Sequence, residues 1–403
     1  MKKILIFSLS YFPKHVGGAE VAIREITGRI APSDIEFHMV TLRYDSTLPA
    51  VERIGNVLVH RIGFTAREPS MEDLKRFPLY LNKLFFQFTA FWKARELNAT
   101  HRYDAVWAMM AHSCGVPAGL FKTFFPRVGY LLTLQEGDPP EYIERKMGIF
   151  GPLFRRAFTK ADTLQPISTF LERWGRKMGF RGPSFMIPNA VDTGRFASAV
   201  PDAIVNETKD ALGKAMGDVF LITTSRLVRK NGIDDVIRAL PALPENVRFL
   251  VLGIGPDEKL LKGLAGKLGV GKRVVFLGQI GHADLPRYLK ASDIFIRPSR
   301  SEGMGNSFVE AMAAGLPVIA TQEGGLADFL FDEKRNPEEP VTGWAVDRDS
   351  PESIARAVRD VMGHQEKVRA VTLTAKAMVL QKYDWDIVTR DMRERAFAAV
   401  LRA

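Results

Sequence analysis

Two carboxylates accompany a glycine-containing loop in the stretch 297–325. Glu302 lies in the loop, and Glu310 lies on the helix predicted from Ser307 to Ala314. Glycines let backbone amides approach a ligand, and the N–H groups and dipole at the start of a helix attract anions. Carboxylates would repel a bare phosphate, but they are strong acceptors for hydroxyl groups. The stretch therefore predicts a ligand that joins a diphosphate to hydroxylated rings; the alternative is a surface loop before an ordinary core helix.

The sequence around these glutamates resembles the signature of retaining glycosyltransferases of family 4. It reads RPSRSEGMGNSFVEAMAAGLPVIATQEGG, and the family has the pattern PSxxEGxGxxxxEAMAxGxPVIA, with seven residues between its two glutamates. Glu302 and Glu310 have that spacing. The resemblance covers essentially the whole chain. It implies the α/β GT-B fold, in which two Rossmann-like doubly wound domains face a central cleft.

The resemblance implies that the C-terminal domain binds a nucleotide-diphosphate-sugar. Arg226 offers a planar fork and Lys230 a point charge to the diphosphate, although Asn231 holds the position where the family has a lysine. The predicted donor-binding residues are Gly17, Gly18, Arg226, Lys230, Gln279, Ile280, Glu302, Gly303, Met304, Gly305, Asn306, Ser307 and Glu310. The predicted catalytic residues are Arg226, Lys230, Glu302 and Gln135.

The loops after the fourth and fifth predicted strands carry further polar side chains. The family usually has a histidine in the second of these loops, where it contacts the donor sugar, and Gln135 stands at that place here. Glutamine can hydrogen-bond a sugar hydroxyl but cannot be charged. We predict that His112, Glu136 and Asp138 lie on the acceptor side; for His112 a structural role is the alternative.

Alternating apolar runs and helix-like segments predict the elements that position these loops. The apolar runs are 3–9, 36–42, 57–62, 104–110, 128–134, 219–223, 247–252, 274–277, 294–296 and 316–320, and the helix-like segments of the first half are 18–30, 72–98 and 115–125. Such alternation predicts doubly wound parallel sheets, which bind ligands at the carboxyl ends of their strands. The predicted domains are an acceptor-binding domain (1–195), a donor-binding domain (196–380) and, as the resemblance implies, a C-terminal helix that packs back on the first domain (381–403).

Composition and charge indicate which cellular compartment and which binding partners the sequence favours. The 403 residues include one cysteine, Cys114, which rules out an internal disulfide and favours a reducing, cytoplasmic location. The first apolar run is predicted to be a strand and not a signal peptide. Residues 1–195 hold 27 Lys and Arg against 18 Asp and Glu, a net charge of +9, and the other residues carry +1. This asymmetry predicts an anionic partner for the first half, and because no nucleic-acid motif accompanies it, we expect a membrane surface or a phosphorylated substrate.

The segment 72–95 interleaves aromatic and basic residues. It suits a helix in a membrane interface, or equally a core helix with a solvated face. Two Asp-x-Asp strings, 347–349 and 384–386, lie far along the chain from the predicted nucleotide loops, so we predict no metal and no other cofactor.

Together these features predict a retaining, metal-independent glycosyltransferase. It would move a hexosyl-type sugar from a nucleotide-diphosphate-sugar to a glycan or lipid-linked acceptor in cell-surface glycan or glycolipid biosynthesis, at the inner face of the membrane. One alternative is a non-catalytic relative that binds a nucleotide-sugar. The other is a nicotinamide-dependent oxidoreductase, which the lack of a complete G-x-G-x-x-G after the first strand disfavours.

Overall fold

The chain forms two compact units. The computed structural model describes residues 1–14, 17–70 and 72–402. The first unit comprises residues 1–189 together with 385–403, and the second comprises residues 190–384. The first unit thus ends at 189, compared with 195 in the sequence-based expectation, and its C-terminal segment begins at 385, compared with 381.

The strands follow the apolar runs of the sequence. They are β1 (Lys2–Phe7), β2 (Ile35–Leu42), β3 (Val51–Ile54), β4 (Val57–Ile62), β5 (Ala105–Met109), β6 (Gly129–Leu134), β7 (Thr163–Pro166), β8 (Val219–Thr224), β9 (Val247–Leu252), β10 (Val274–Gly278), β11 (Ile294–Arg297), β12 (Val318–Ala320) and β13 (Trp344–Ala345). The sequence did not predict β3, β7 and β13, which are short and lack a long apolar run.

The helices lie between the strands, as the alternation predicts. They are α1 (Gly18–Gly28), α2 (Leu79–His101), α3 (Val116–Phe124), α4 (Pro140–Met147), α5 (Gly151–Thr159), α6 (Thr169–Lys177), α7 (Thr193–Phe196), α8 (Asp202–Ala211), α9 (Ile233–Ala239), α10 (Glu258–Lys267), α11 (Leu285–Ala291), α12 (Asn306–Ala313), α13 (Pro351–Gly363), α14 (Gln365–Lys382), α15 (Trp385–Asp391) and α16 (Ala398–Val400). Helix α2 begins seven residues later than the predicted helix at 72.

The first unit is built on a sheet with the strand order β3-β4-β2-β1-β5-β6-β7. All neighbouring strands pair in parallel except β3, which is antiparallel to β4. The chain runs outward from β1 in one direction and from β5 in the other, so the strand order reverses between these two strands. Ligands of open α/β sheets bind at such a switch point, beyond the carboxyl ends of the strands.

The second unit repeats this plan in a parallel sheet with the order β10-β9-β8-β11-β12-β13. Its strand order reverses between β8 and β11, so the loops that begin after Thr224 and after Arg297 are neighbours. The two doubly wound sheets confirm the predicted α/β fold class.

The C-terminal segment supplies core side chains to the first unit. The Phe397 ring centroid lies 5.8 Å from that of Phe37 and 5.1 Å from that of Trp107, and all three side chains are buried. Val400 packs so closely on Gly129 that a side chain at that glycine would collide with the Val400 carbonyl. The segment is therefore part of the hydrophobic core of the first unit.

Candidate functional site

The switch point of the second unit brings the two predicted diphosphate loops together, and Arg300 joins them. Its backbone N–H donates to the Lys230 carbonyl at 2.6 Å, and its guanidinium donates to the Arg229 carbonyl at 2.5 Å. The same guanidinium reaches the carboxylates of Asp234 (2.8 Å) and Asp235 (2.6 Å) at the start of α9. The loop after β11 is thus fixed to the loop after β8.

The charges around Arg300 depend on one another. Burial and the neighbouring Asp234 charge raise the pKa of Asp235 to about 6. For Arg300, burial acts to lower the pKa, but hydrogen bonds with Asp234 and Asp349 outweigh it and raise that pKa above its usual value. The guanidinium is therefore a permanent cation between the two loops.

Arg226 and Lys230 are carried by the first of these loops. The Arg226 side chain is exposed, and that of Lys230 is half-buried. Asn231 is buried, and its side-chain amide donates to the Arg226 carbonyl at 2.6 Å. The asparagine that replaces the family's lysine therefore holds the backbone of Arg226 in place.

Glu302 is anchored inside the second loop by a buried arginine. Its Oε1 atom accepts hydrogen bonds from Arg297 Nη2 at 2.8 Å and from Ser299 Oγ at 2.9 Å. Arg297 also donates to Ser307 Oγ at 2.7 Å, and its guanidinium carbon lies 4.2 Å from the centre of the Phe308 ring. Arg297 is not among the predicted site residues, although it lies only five residues before Glu302.

A tight backbone contact fixes the Glu302 carbonyl. It accepts a hydrogen bond from the Gly325 N–H at 3.1 Å. Gly324 has a φ of +62°, and a Cβ at this position would lie 2.0 Å from the same carbonyl oxygen. Only glycine fits this approach without displacing the loop.

The loop leads into α12 through a glycine. Gly305 is the N-cap of α12 with a φ of +90°, and the predicted donor-binding residues Gly303 and Met304 precede it in buried positions. The predicted residues Asn306 and Ser307 form the first turn of the helix. The N–H groups at this end of the helix are those predicted to bind the diphosphate.

Glu310 is buried on α12 and meets a histidine from another loop. Its Oε1 lies 2.9 Å from His282 Nε2, and His282 Nδ1 lies 3.2 Å from Arg195 Nη1. Gln279 and Ile280, which are predicted to bind the donor, lie three and two residues before His282 in the loop after β10. The His282–Glu310 contact therefore ties this loop to α12, a link that sequence spacing did not reveal.

In the first unit, the glycine turn at the start of α1 is closed by a carboxylate. Glu20 Oε2 accepts from the Gly17 N–H at 2.7 Å, and Glu20 Oε1 accepts from Ser10 Oγ at 2.8 Å. Gly17 and Gly18 are themselves exposed. The Gly17 amide thus forms part of a capping box, and the Gly17-Gly18 backbone is open to a ligand.

Glu136, in the loop after β6, contacts the loop after β5. It is buried, and its oxygens accept from the Ala111 N–H at 2.6 Å and the Gln135 N–H at 3.0 Å. Both oxygens bind backbone amides, so Glu136 joins the loop after β5 to the loop after β6. Its place on the acceptor side stays a prediction. His112 Nδ1 lies 3.7 Å from Glu136 Oε1.

The Gln135 side chain forms a reciprocal amide pair. Its Nε2 donates to Asn189 Oδ1 at 3.0 Å, and its Oε1 accepts from Asn189 Nδ2 at 3.1 Å. Both polar atoms of Gln135 therefore have a protein partner, and a sugar hydroxyl would have to share them. Asp138 is exposed and, with His112, lines a cavity of the first unit.

Within residues 1–14, 17–70 and 72–402, no group of three or more His, Cys, Asp or Glu side chains is arranged to hold a metal ion. In the same part of the chain, no helix is both long and apolar enough to cross a membrane.

Comparison with known proteins identifies the family. Residues 17–190 match the model of the glycosyl transferase 4-like domain, and residues 205–378 match the model of glycosyl transferases group 1. A GDP-mannose-dependent alpha-(1-6)-phosphatidylinositol monomannoside mannosyltransferase of Mycolicibacterium smegmatis is 32% identical over 250 residues, which are 58% of this chain and 63% of that protein. An uncharacterized glycosyltransferase of Methanocaldococcus jannaschii is 25% identical over 406 residues, 96% of each chain.

The fold is also similar to that of solved structures. HepE of Anabaena in complex with UDP-glucose superposes with a TM-score of 0.75 at 22% identity, covering 99% of this chain and 100% of that one. Such a likeness shows the fold, while the two domain models span most of both units. The chain belongs to the group 1 glycosyltransferases and has their two-domain GT-B fold.

Proposed function

We propose that this protein transfers a hexosyl sugar from a nucleotide-diphosphate-sugar to a hydroxyl group of a glycan or lipid-linked acceptor, with retention of the anomeric configuration. The observation that carries the proposal is the switch point of the second unit, where Arg300 fixes the loop of Arg226 and Lys230 to the loop of Glu302. Cations, helix-start amides and buried carboxylates meet there, which is what a diphosphate flanked by hydroxylated rings requires.

Each part of the donor has a partner in this proposal. Arg226, Lys230 and the amides at the start of α12 hold the diphosphate. Glu310 accepts hydrogen bonds from the ribose hydroxyls, sharing its carboxylate with His282. Glu302, anchored by Arg297, orients the sugar.

The transfer exchanges one C–O bond for another. The acceptor hydroxyl attacks the anomeric carbon from the face on which the diphosphate leaves. The bond to the diphosphate breaks with its electron pair, and the departing phosphate oxygen takes the acceptor's proton. Arg226 and Lys230 stabilise the charge that develops on the leaving group, so the proposal needs no metal ion.

The relatives support the donor class. The Mycolicibacterium smegmatis relative is named for GDP-mannose, and HepE was solved with UDP-glucose. Both are nucleotide-diphosphate-hexoses, and for this chain we propose the same class of donor. We further propose that the first unit binds the acceptor and contacts the inner face of the membrane peripherally, since it carries exposed apolar side chains on α2 and an excess of basic residues.

Replacement of Arg226 by alanine tests the proposal. Loss of charge-assisted hydrogen bonds to the diphosphate, worth about 1.5–3 kcal/mol, should lower kcat/KM for the donor by roughly 10-fold to 100-fold. Release of nucleoside diphosphate, measured with a panel of nucleotide-hexoses and with glycan and glycolipid acceptors, is the readout. Arg356→Ala, at an exposed position on α13, is the matched control and should leave kcat/KM unchanged.

Several outcomes would contradict the assignment. Equal turnover by Arg226→Ala and the parent protein would remove Arg226 from the diphosphate site. Donor binding without any release of nucleoside diphosphate would indicate a non-catalytic nucleotide-sugar-binding protein. A nicotinamide-dependent absorbance change would indicate an oxidoreductase.

A further inference from the structure

The first unit contains a cavity of about 440 Å³ at its own switch point. Residues that follow three neighbouring strands line it: Leu9 follows β1, His112 and Ser113 follow β5, and Asp138 follows β6. His112, Ser113 and Asp138 form its polar end. The carboxyl ends around a switch point are where open α/β sheets bind ligands, and the volume lies in the range of small-molecule sites. The position of the cavity therefore indicates a binding site.

The side walls of this cavity are apolar and unusually exposed. One wall is α2 and the other is α4 with the residues that follow it. Large apolar side chains from both walls line the cavity while remaining more than a third exposed to solvent: Tyr80, Leu84, Phe88, Tyr142 and Phe150. Soluble proteins rarely leave so many large apolar side chains together at the surface unless something covers them.

The order of apolar residues along α2 shows that its exposed apolar side chains are not simply the edge of the protein core. The helix buries a separate apolar face that includes Phe86, Ala90 and Phe91. Leu84, Phe88 and Trp92 follow one another at intervals of four residues on its exposed side. A helix that is apolar on both sides has a second apolar partner.

Charge complementarity specifies the chemistry of that partner. Lys83 on α2 and Lys146 on α4 line the cavity from its two walls, and both side chains are exposed. Two cations beside apolar walls suit an anionic group attached to a hydrocarbon chain. His112 and Asp138, at the polar end, suit a hydroxyl group, because each offers a hydrogen-bond acceptor or donor.

We propose that this cavity binds the acceptor of the transfer reaction, and that the acceptor is an amphiphile in which the reacting sugar or alcohol is joined through a phosphate to an apolar chain. The chain lies between α2 and α4, the phosphate lies by Lys83 and Lys146, and the hydroxyl lies by His112 and Asp138. This inference rests on the proposed glycosyl transfer and names the class of its acceptor.

Binding of simple alkyl phosphates to the full-length protein tests the inference without any donor. Inorganic phosphate, butyl phosphate, hexyl phosphate and octyl phosphate are titrated by calorimetry below their micellar concentrations. Because burial of methylene groups drives binding, each added pair should tighten it by roughly threefold to tenfold. The same affinity for all four compounds would overturn the inference.

Variants on a single helix separate the cavity from the general surface. Leu84→Gln and Phe88→Gln should each weaken octyl phosphate binding by at least about tenfold. Trp92→Gln is the matched control, since Trp92 is as exposed as Leu84 (58% against 54%) and does not line the cavity, so it should change the affinity less than about twofold. An equal loss in the three variants would show a non-specific apolar surface and overturn the inference.

The phosphate and the donor are tested separately. Lys146→Gln should weaken octyl phosphate severalfold while leaving octyl glucoside, which has no charge, unchanged; an equal effect on both would overturn the phosphate assignment. Thermal shifts with nucleotide-sugars are recorded for the same proteins. Donor binding without alkyl phosphate binding would overturn the acceptor class alone, and absence of both would overturn the proposed function as well.

Discussion

At the scale of single residues, each of the two signature glutamates is held by a side chain that is not part of the signature pattern. Glu302 is held by Arg297, whose guanidinium is buried and also reaches Ser307. Glu310 is held by His282 from a different loop. Each carboxylate thus has a cation or a proton donor beside it, which offsets the cost of burying the charge and fixes the direction of its oxygens.

A group of histidines in the first unit makes its stability depend on pH. His38 and His60 are buried, and the ring centroid of His38 lies 5.7 Å from that of His60 and 4.4 Å from that of His101. Burial, followed by the nearby His38, lowers the pKa of His60 from 6.5 to about 4. Burial also lowers the pKa of His38, although a hydrogen bond with Glu36 opposes this.

We expect acid to destabilise the first unit. The unfolded chain binds a proton at position 60 below about pH 6.5, and the folded chain does so only near pH 4. The free energy of unfolding should therefore be greatest above pH 6.5 and fall as the pH decreases toward 4, with His60 accounting for about 2 kcal/mol between pH 7 and 5. Urea denaturation at several pH values measures this dependence.

A variant isolates the contribution of His60. His60→Phe removes the titrating ring, and it should flatten the pH dependence by roughly the same 2 kcal/mol. His364→Gln is the control, because the His364 side chain is 63% exposed and lies in the second unit. A His60→Phe protein with the parent's pH dependence would show that His60 is not the responsible group.

The sequence identifies candidate residues, but it does not show which side chains hold them in the fold. The spacing of Glu302 and Glu310 could be read directly from the chain, but a buried Arg297 and a His282 from another loop become partners only through folding. Glu136 shows the same limit. It is predicted to lie on the acceptor side, and the hydrogen bonds of its two oxygens with the Ala111 and Gln135 amides could not be read from the sequence.

At the scale of elements, the loop that carries Glu302 is shaped by the next loop along the sheet. The Glu302 carbonyl lies against Gly324, where any Cβ would collide with it at 2.0 Å. We expect Gly324→Ala to displace this loop and lower kcat/KM for the donor by at least about tenfold, because a positioned catalytic group loses activity with small displacements. Steady-state kinetics with the preferred donor measures the effect.

Gly315 provides a matched control for Gly324. Both glycines have a left-handed backbone, with φ of +84° and +62°, but a Cβ on Gly315 meets nothing within 4 Å. Gly315→Ala should thus cost about 1 kcal/mol of stability from backbone strain and leave kcat/KM unchanged. If the two variants lose activity equally, the contact with Glu302 is not the cause.

The elements themselves were largely predictable from the sequence. Parallel strands are buried on both faces, so β1, β2, β6 and β9 are rich in apolar residues, although β2 also contains Glu36 and His38. β3 was not predicted because it is an antiparallel edge strand with an alternation of exposed and half-buried residues. β13 has only two residues, which is too short for any pattern.

At the scale of the whole molecule, the net charge of +10 belongs to one unit. Residues 1–189 and 385–403 contain 30 Lys and Arg against 20 Asp and Glu, whereas residues 190–384 contain 26 of each. The unit with the cavity and the exposed apolar side of α2 therefore also carries the excess positive charge. The second unit, which contains the candidate donor site, has no net charge.

This distribution predicts peripheral binding to anionic membranes. Sedimentation with vesicles of phosphatidylglycerol should recover the protein, vesicles of phosphatidylcholine should recover much less, and 0.5 M salt should reverse the difference because ions screen the attraction. Trp92→Gln should weaken vesicle binding by roughly tenfold through loss of an interfacial aromatic side chain. Leu373→Gln, a 61% exposed position in the second unit, should leave vesicle binding unchanged. Equal sedimentation with both lipids, or equal loss in both variants, would show that the basic unit is not the membrane-binding part of the molecule.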